Sequence, residues 1–212
     1  MKKWFLLIAA LGLVLALAAC GDDKKDEPAT ENNDVENNEP VDENDETAAD
    51  PSESDELDET EVANVTVDLL NAEGDSVGTA ELSEEENGVR VKVNAKDLPE
   101  GPHGFHFHEA GKCEAPDFES AGGHFNPTEA EHGLENEKGP HAGDLPNLEV
   151  GKDGTVDEEF LAELVTLKEG EVNSLLQEGG TALVIHAEAD DGTTQPSGDS
   201  GDRIVCGVIN KK

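Results

Sequence analysis

The chain has no tyrosine, and aromatic residues make up only 3% of it. A core built on large rings is therefore excluded, and packing must come from Val, Leu, Ile and Ala. Basic residues are also scarce: 14 Lys+Arg stand against 51 Asp+Glu, a formal net charge of −37 at pH 7. That charge excludes nucleic acid and anionic lipid as partners of the protein surface. Cysteine occurs three times, as Cys20, Cys113 and Cys206.

Apolar residues are unevenly spread. Residues 1–20 carry Lys2 and Lys3, then an apolar run, then small residues ending at Cys20, which is the architecture of a secretory signal. Leu17-Ala18-Ala19-Cys20 resembles a bacterial lipobox, which implies cleavage before Cys20 and lipidation of its thiol. An uncleaved N-terminal anchor is the alternative. Both readings put the rest of the chain outside the cytoplasm, and the expected place is the outer face of a bacterial cytoplasmic membrane, touched only through the N-terminal lipid. Residues 21–61 are dominated by Asp, Glu and Asn and cannot bury enough apolar surface to offset the entropy of ordering. They read as a disordered acidic tether, with an ideal-coil span on the order of 35 Å that like-charge repulsion would extend. If Cys20 carries lipid, Cys113 and Cys206 remain as a pair in an oxidising location, which favours a disulfide. Closing so large a loop is worth roughly 4–5 kcal/mol in the chain-entropy model.

From Val62 the pattern changes. The 62–212 segment holds 32 Asp+Glu against 10 Lys+Arg, a balance of −22, so the folded part is acidic in its own right. Residues 62–69 and 89–95 alternate apolar and polar, and 76–82, 104–108, 155–163, 181–187 and 203–209 are further short runs. Turn residues fall between them at Glu73-Gly74-Asp75, Asn87-Gly88 and Lys152-Asp153-Gly154. The spacing predicts an all-β domain, an antiparallel sandwich or barrel of seven or eight strands. Residues 109–147 and 188–202 are long, Gly-rich and poor in strand signal. Loops of that length inside a compact domain are usually functional.

All seven histidines lie between positions 103 and 186. In His106-Phe107-His108 the imidazoles are two residues apart, so a strand projects both from one face, as two ligands of one metal require. His124, His132, His141 and Asp144 follow in the first long loop, a donor set of the kind that a closed tetrahedral zinc site takes. A metal bound there would supply order that the loop's own composition lacks. His186 ends an apolar strand, and an imidazole-rich set suits copper as well as zinc.

These motifs together resemble the copper/zinc superoxide dismutase family. Gly104 to His108 (GFHFH) looks like its first copper motif, and Gly198 to Ile209 (GDSGDRIVCGVI) like its C-terminal motif. Between them Ala121 to Pro127 (AGGHFNP), His132-Gly133 and His141 to Leu145 (HAGDL) match its zinc loop. The resemblance spans essentially all of 62–212. It implies an eight-stranded Greek-key barrel with two functional loops. Copper would be held by His106, His108, His124 and His186, and zinc by His124, His132, His141 and Asp144, with His124 bridging. Asp190 would be the carboxylate joining the two sites through ligand imidazoles, His103 a structural histidine bonded to backbone, and Cys113–Cys206 the disulfide. Arg203 and His124 would be catalytic, acting on the superoxide anion.

The sequence departs from the family in one respect that matters for rate. Between Lys168 and Arg203 there is no Lys or Arg, while Glu188, Asp190, Asp191, Asp199 and Asp202 crowd the second loop. Long-range attraction of an anionic substrate is expected to be weak. No exposed apolar stripe stands out, which leaves a homodimer open but does not specify one.

Overall fold

A computed structural model describes residues 64–211. The signal segment with Cys20 and the acidic tether expected at 1–20 and 21–61 lie outside the described residues.

Among the described residues nine strands form: β1 (Asn64–Asn71), β2 (Ser76–Glu85), β3 (Gly88–Ala95), β4 (Gly101–His103), β5 (Phe105–His108), β6 (Leu148–Val150), β7 (Val156–Ala162), β8 (Thr181–His186) and β9 (Arg203–Ile209). Seven make one curled antiparallel sheet in the order β5-β8-β9-β1-β2-β3-β7, and β4 pairs with β6. The last strand thus returns beside the first, a Greek-key connection. No α-helix occurs among the described residues, only a 3-10 turn at Glu119–Ala121. The all-β antiparallel architecture expected from the sequence is what forms, with the curled sheet making a half-barrel. Gly104 alone separates β4 from β5, and counting these two as one broken strand gives the expected eight.

Strand β3 shows how the sequence makes the wall. Val89, Val91, Val93 and Ala95 are buried while Arg90, Lys92 and Asn94 are exposed, the period-two pattern of a sheet with one wet face. β5 and β8 differ, since every residue in both is buried. Phe105, Phe107, Leu183 and Ile185 enter the main core. On the opposite face, Ala182 and Val184 pack with Phe118, Ala121 and Cys206 in a second apolar cluster under the first long loop. Both faces of these two strands are covered, so their histidines are enclosed when they point away from the core.

Two features escaped the sequence pattern. β4 and β6 are three residues each and too short to show alternation. A third long connection, residues 163–180, is tied down by Glu84 of β2, whose carboxylate accepts from Thr166 Oγ1 at 2.8 Å and Leu167 N at 2.6 Å.

Candidate metal centre

His106 and His108 lie opposite Val184 and Ala182 across the β5–β8 ladder, and strand parity puts both imidazoles on the face away from Phe105 and Phe107. His186 leaves the same face of β8, where the ladder to β9 shifts register and pairs it with Arg203. The first long loop is lashed to the outer edge of β5 by its main chain. Phe125 N donates to Phe107 O at 2.8 Å, Phe107 N to Gly143 O at 2.9 Å, and Gly143 N to Phe125 O at 2.8 Å. The backbone of His124 thereby pairs with His108, and that of Asp144 with His106. Gly143 has no alternative there, because a Cβ would run into the Phe107 carbonyl oxygen.

The result is two adjoining groups of buried side chains. His106, His108, His124 and His186 form one and His124, His132, His141 and Asp144 the other; within each, potential ligand atoms lie within 4.8 Å of one another. His124 belongs to both.

Most of these rings are held on one nitrogen and open on the other. Asp190 reaches His106 Nε2 at 2.6 Å and His132 Nε2 at 3.0 Å with its two oxygens. Asp144 Oδ1 lies 2.8 Å from His124 Nδ1, the Gly122 carbonyl 3.0 Å from His108 Nδ1, and the Gly201 carbonyl 3.2 Å from His186 Nδ1. On the other side, His106 Nδ1, His124 Nε2 and His132 Nδ1 are buried without a hydrogen-bond partner. His132 Nδ1 is 3.1 Å from Asp144 Oδ2 but not in line for a hydrogen bond. His108 Nε2 and His186 Nε2 face each other at 3.4 Å. Buried polar atoms left without partners are costly, and lone pairs converging from oriented imidazoles are what a metal ion neutralises. The donor sets fit copper and zinc: four imidazoles in one group, three imidazoles and a carboxylate in the other.

The electrostatics separate the groups. Burial pushes His106 down to about 4 despite Asp190, and burial together with charge on His106 pushes His186 down to about 3. His108 falls well below 6.5, again mainly through burial. These three rings are therefore neutral at pH 7, with lone pairs available. His132 behaves oppositely: burial pulls it down, but the carboxylates of Asp144 and Asp190 outweigh that and raise it to about 9. Asp144 and Asp190 are themselves held far below the carboxylate range by their histidine contacts, against the pull of burial. The carboxylate-rich group thus draws a positive charge.

Arg203 sits at the edge of the all-histidine group. Its guanidinium donates to the carbonyls of Phe118 and Gly122, each at 2.7 Å, and the Gly122 carbonyl also faces His108 Nδ1. Phe118 adopts a left-handed backbone, φ 53°, unusual for a bulky residue, with its side chain fully buried. Cys113 and Cys206 are disulfide-bonded, with Cα atoms 5.7 Å apart. The bond fixes the beginning of the first loop to β9 beside Arg203. His103 stands apart from both groups: its ring nitrogens lie 2.8 Å and 2.9 Å from the carbonyl oxygens of His186 and Pro99.

Sequence reasoning missed the residues that hold Asp190 and His132 from behind. Asn147 Nδ2 donates to Asp190 O at 2.9 Å while Asp190 N donates to Asn147 Oδ1 at 2.8 Å, and Gln195 makes the corresponding pair with His132. Both act on main-chain atoms, so no ligand spacing betrays them.

Comparison with known proteins bears on the same residues. The family model described as copper/zinc superoxide dismutase (SODC) matches residues 76–209. Superoxide dismutase [Cu-Zn] 2 of Aquifex aeolicus (strain VF5) is 53% identical over 143 residues, covering 67% of this chain and 84% of that one. The superoxide dismutase-like protein YojM of Bacillus subtilis (strain 168) is 51% identical over 145 residues, covering 68% and 74%. Among solved structures, a SOD-like protein from Bacillus subtilis superposes with a TM-score of 0.67 at 49% identity, covering 69% of this chain and 99% of that one. Cu/Zn superoxide dismutase from Brucella abortus superposes with a TM-score of 0.57 at 34% identity, covering 69% and 99%. With the family pattern running from β2 to β9 and through both histidine groups, the chain belongs to the copper/zinc superoxide dismutase family.

Proposed function

We propose that the protein dismutes superoxide outside the cytoplasm, with copper held by His106, His108, His124 and His186 and zinc by His124, His132, His141 and Asp144. The observation that carries this reading is the set of buried, partnerless nitrogens converging in two groups that share His124. Copper, when bound, supplies a one-electron couple that oxidises one superoxide to dioxygen and reduces a second, with two protons, to hydrogen peroxide. The chain's own residues do the rest. Arg203 keeps a permanent cation beside the all-histidine group, and a guanidinium both attracts and orients a small anion. Its two carbonyl contacts hold it in one place. His124 Nε2, the nitrogen with no protein partner, is the atom that would hold a proton between the half-reactions, while Asp144 keeps the opposite nitrogen oriented. Asp190, bonded to His106 and His132, fixes a ring of each group at once.

The cellular setting rests on the sequence. A lipobox-like LAAC ending at Cys20, followed by an acidic tether, suits a dismutase carried clear of the membrane surface. Replacing Cys20 with Ala should release the protein from the membrane fraction, and retention there would count against the lipid anchor.

The decisive assay is superoxide dismutation by the full chain as apo, zinc-only and copper-plus-zinc forms, with metal content measured alongside. Activity is expected only when copper is bound. Stoichiometric loading of both metals without turnover would instead make the protein a metal carrier.

A further inference from the structure

The two long loops meet at Gln195, a residue that neither metal group contains. Gln195, in the second loop, accepts from His132 N at 2.8 Å through Oε1 and donates to His132 O at 2.9 Å through Nε2. One side-chain amide thus holds both main-chain polar groups of a proposed zinc ligand. The two groups do not depend on it equally. His132 O also accepts from Asn136 Nδ2 at 2.9 Å, whereas His132 N donates to Gln195. His132 is buried, and a buried N–H stripped of its acceptor carries its full desolvation cost. The loops also touch next door: a Cβ on Gly133, where φ is +112°, would strike the Gly192 carbonyl.

The imidazole of His132 is gripped from the same loop. Asp190 Oδ1 takes its Nε2 at 3.0 Å and also accepts from Gly192 N at 2.6 Å. The second loop therefore holds His132 at its ring through Asp190 and at its backbone through Gln195. The same loop runs on to Arg203, which opens β9.

We propose that Gln195 is a positioning residue of the zinc group: by fastening the main chain of His132 to the 187–202 loop, its side-chain amide carries part of the coupling between zinc binding and the order of that loop. The inference rests on the assignment of zinc to His124, His132, His141 and Asp144. Linkage makes the effect reciprocal: if zinc orders the loop, an ordered loop binds zinc more tightly by the same factor. Outer-shell contacts of this kind typically change metal affinity by roughly 10–100-fold.

The test needs no turnover. Zinc affinity of the full chain is measured by chelator competition, and amide hydrogen exchange across 187–202 is followed with and without zinc. Gln195→Ala removes both contacts and should weaken zinc binding at least tenfold while abolishing zinc-dependent protection of the loop. Gln195→Glu keeps an acceptor for His132 N and should fall between Ala and wild type; this graded rescue is not expected of general loosening. Thr194→Ala breaks only the local hydrogen bond to Asp191 and should leave zinc affinity unchanged. Wild-type zinc affinity and protection in Gln195→Ala would overturn the proposal, as would an equal loss in Thr194→Ala. If Gln195→Ala fails to fold, Gln195→Glu decides: its zinc affinity must drop for the proposal to stand. A wild-type protein that binds zinc with loop protection but shows no dismutation would refute the enzymatic reading and leave this one intact.

Discussion

The β1–β2–β3 wall and the 109–147 loop are held in place by different forces. In the wall, Val67, Leu69, Leu82, Val89, Val91 and Val93 are essentially inaccessible to solvent, and continuous ladders pair them in register. Its order follows from apolar burial and backbone hydrogen bonding, which any solvent condition preserving water's cohesion supports. The loop has few such residues. Phe118, Ala121, Phe125, Ala142 and Leu145 are its buried apolar anchors, and the remaining order comes from His–carboxylate contacts, the Cys113–Cys206 bond and the pairings with β5. A sheet that packs itself can carry a loop whose final order depends on what it binds.

Metal removal should expose that division most strongly. A ligand present at a thousandfold over its dissociation constant stabilises the native state by about 4 kcal/mol per site. Stripping both groups should therefore lower the melting temperature by roughly 20 °C in a domain of this size. Calorimetry of chelated and reloaded protein reads the shift, and hydrogen exchange locates it. The largest loss of protection is expected in 109–147 and 187–202, with β1 to β3 losing only what the fall in global stability takes. Equal loss across the sheet would show that wall and loop form one cooperative unit.

The reverse perturbation is Leu82→Ala. Leu82 is 1% exposed in β2, which contributes none of the histidines, and truncating it should cost about 2–5 kcal/mol. Distant, independent sites add. The cost measured by denaturant titration should consequently agree between chelated and loaded protein to within about 0.5 kcal/mol. A larger gap would mean that the core and the metal groups are coupled.

The same division explains what could be read from sequence. β1 and β3 announce themselves by alternation, because one face is wet. β5 and β8 do not alternate, being buried on both faces, yet His106-Phe107-His108 still showed one-sided projection because strand parity is independent of burial. His124, His132, His141 and Asp144 were legible as a donor set, since metal chemistry needs those side chains whatever surrounds them. The supporting contacts were not. Asn147 and Gln195 bind main-chain atoms, a role that any amide at the right place could fill. β4 and β6 pair across a gap that only the folded loop closes, and the 163–180 connection takes its order from Glu84 in a distant strand.

Glu84 offers a smaller and pH-dependent test of order imposed by polar contacts. Burial would raise its pKa, but Leu167 N, Thr166 and Lys168 prevail and hold it below its ordinary 4.5. The folded pKa is depressed, so the stabilisation is complete above the unfolded value and fades as pH falls through the folded one. Glu84→Gln should cost about 1–3 kcal/mol at neutral pH, the range for a charge-assisted hydrogen bond, and its half-buried position puts it toward the lower end. The difference in melting temperature between wild type and variant should shrink in acid, below about pH 4.5. A gap that stays constant from pH 7 to pH 3 would show that shape, not charge, anchors the connection.

The smallest effect concerns charge at the rim of the site. Arg203 opens onto a cleft whose other walls include Glu73, Asp117, Glu119 and Asp202, and no Lys or Arg precedes it back to Lys168. Burial lowers the Arg203 pKa, while Glu119 and Asp117 favour the cation, so these acids compensate at close range the charge that an arriving anion should feel. Screening acts on exposed charges separated by more than about 8 Å at physiological salt. Adding salt should therefore weaken the repulsion from the acidic rim more than the attraction at contact with Arg203. For superoxide dismutation the expected result is a rate that stays flat or rises with ionic strength. Replacing Asp117 with Asn and Glu119 with Gln should raise kcat/KM at low salt by a few-fold and turn the salt dependence downward. A steep fall with salt in the wild-type protein would mean that attraction already dominates at long range, and the acidic rim would then have no part in setting the rate.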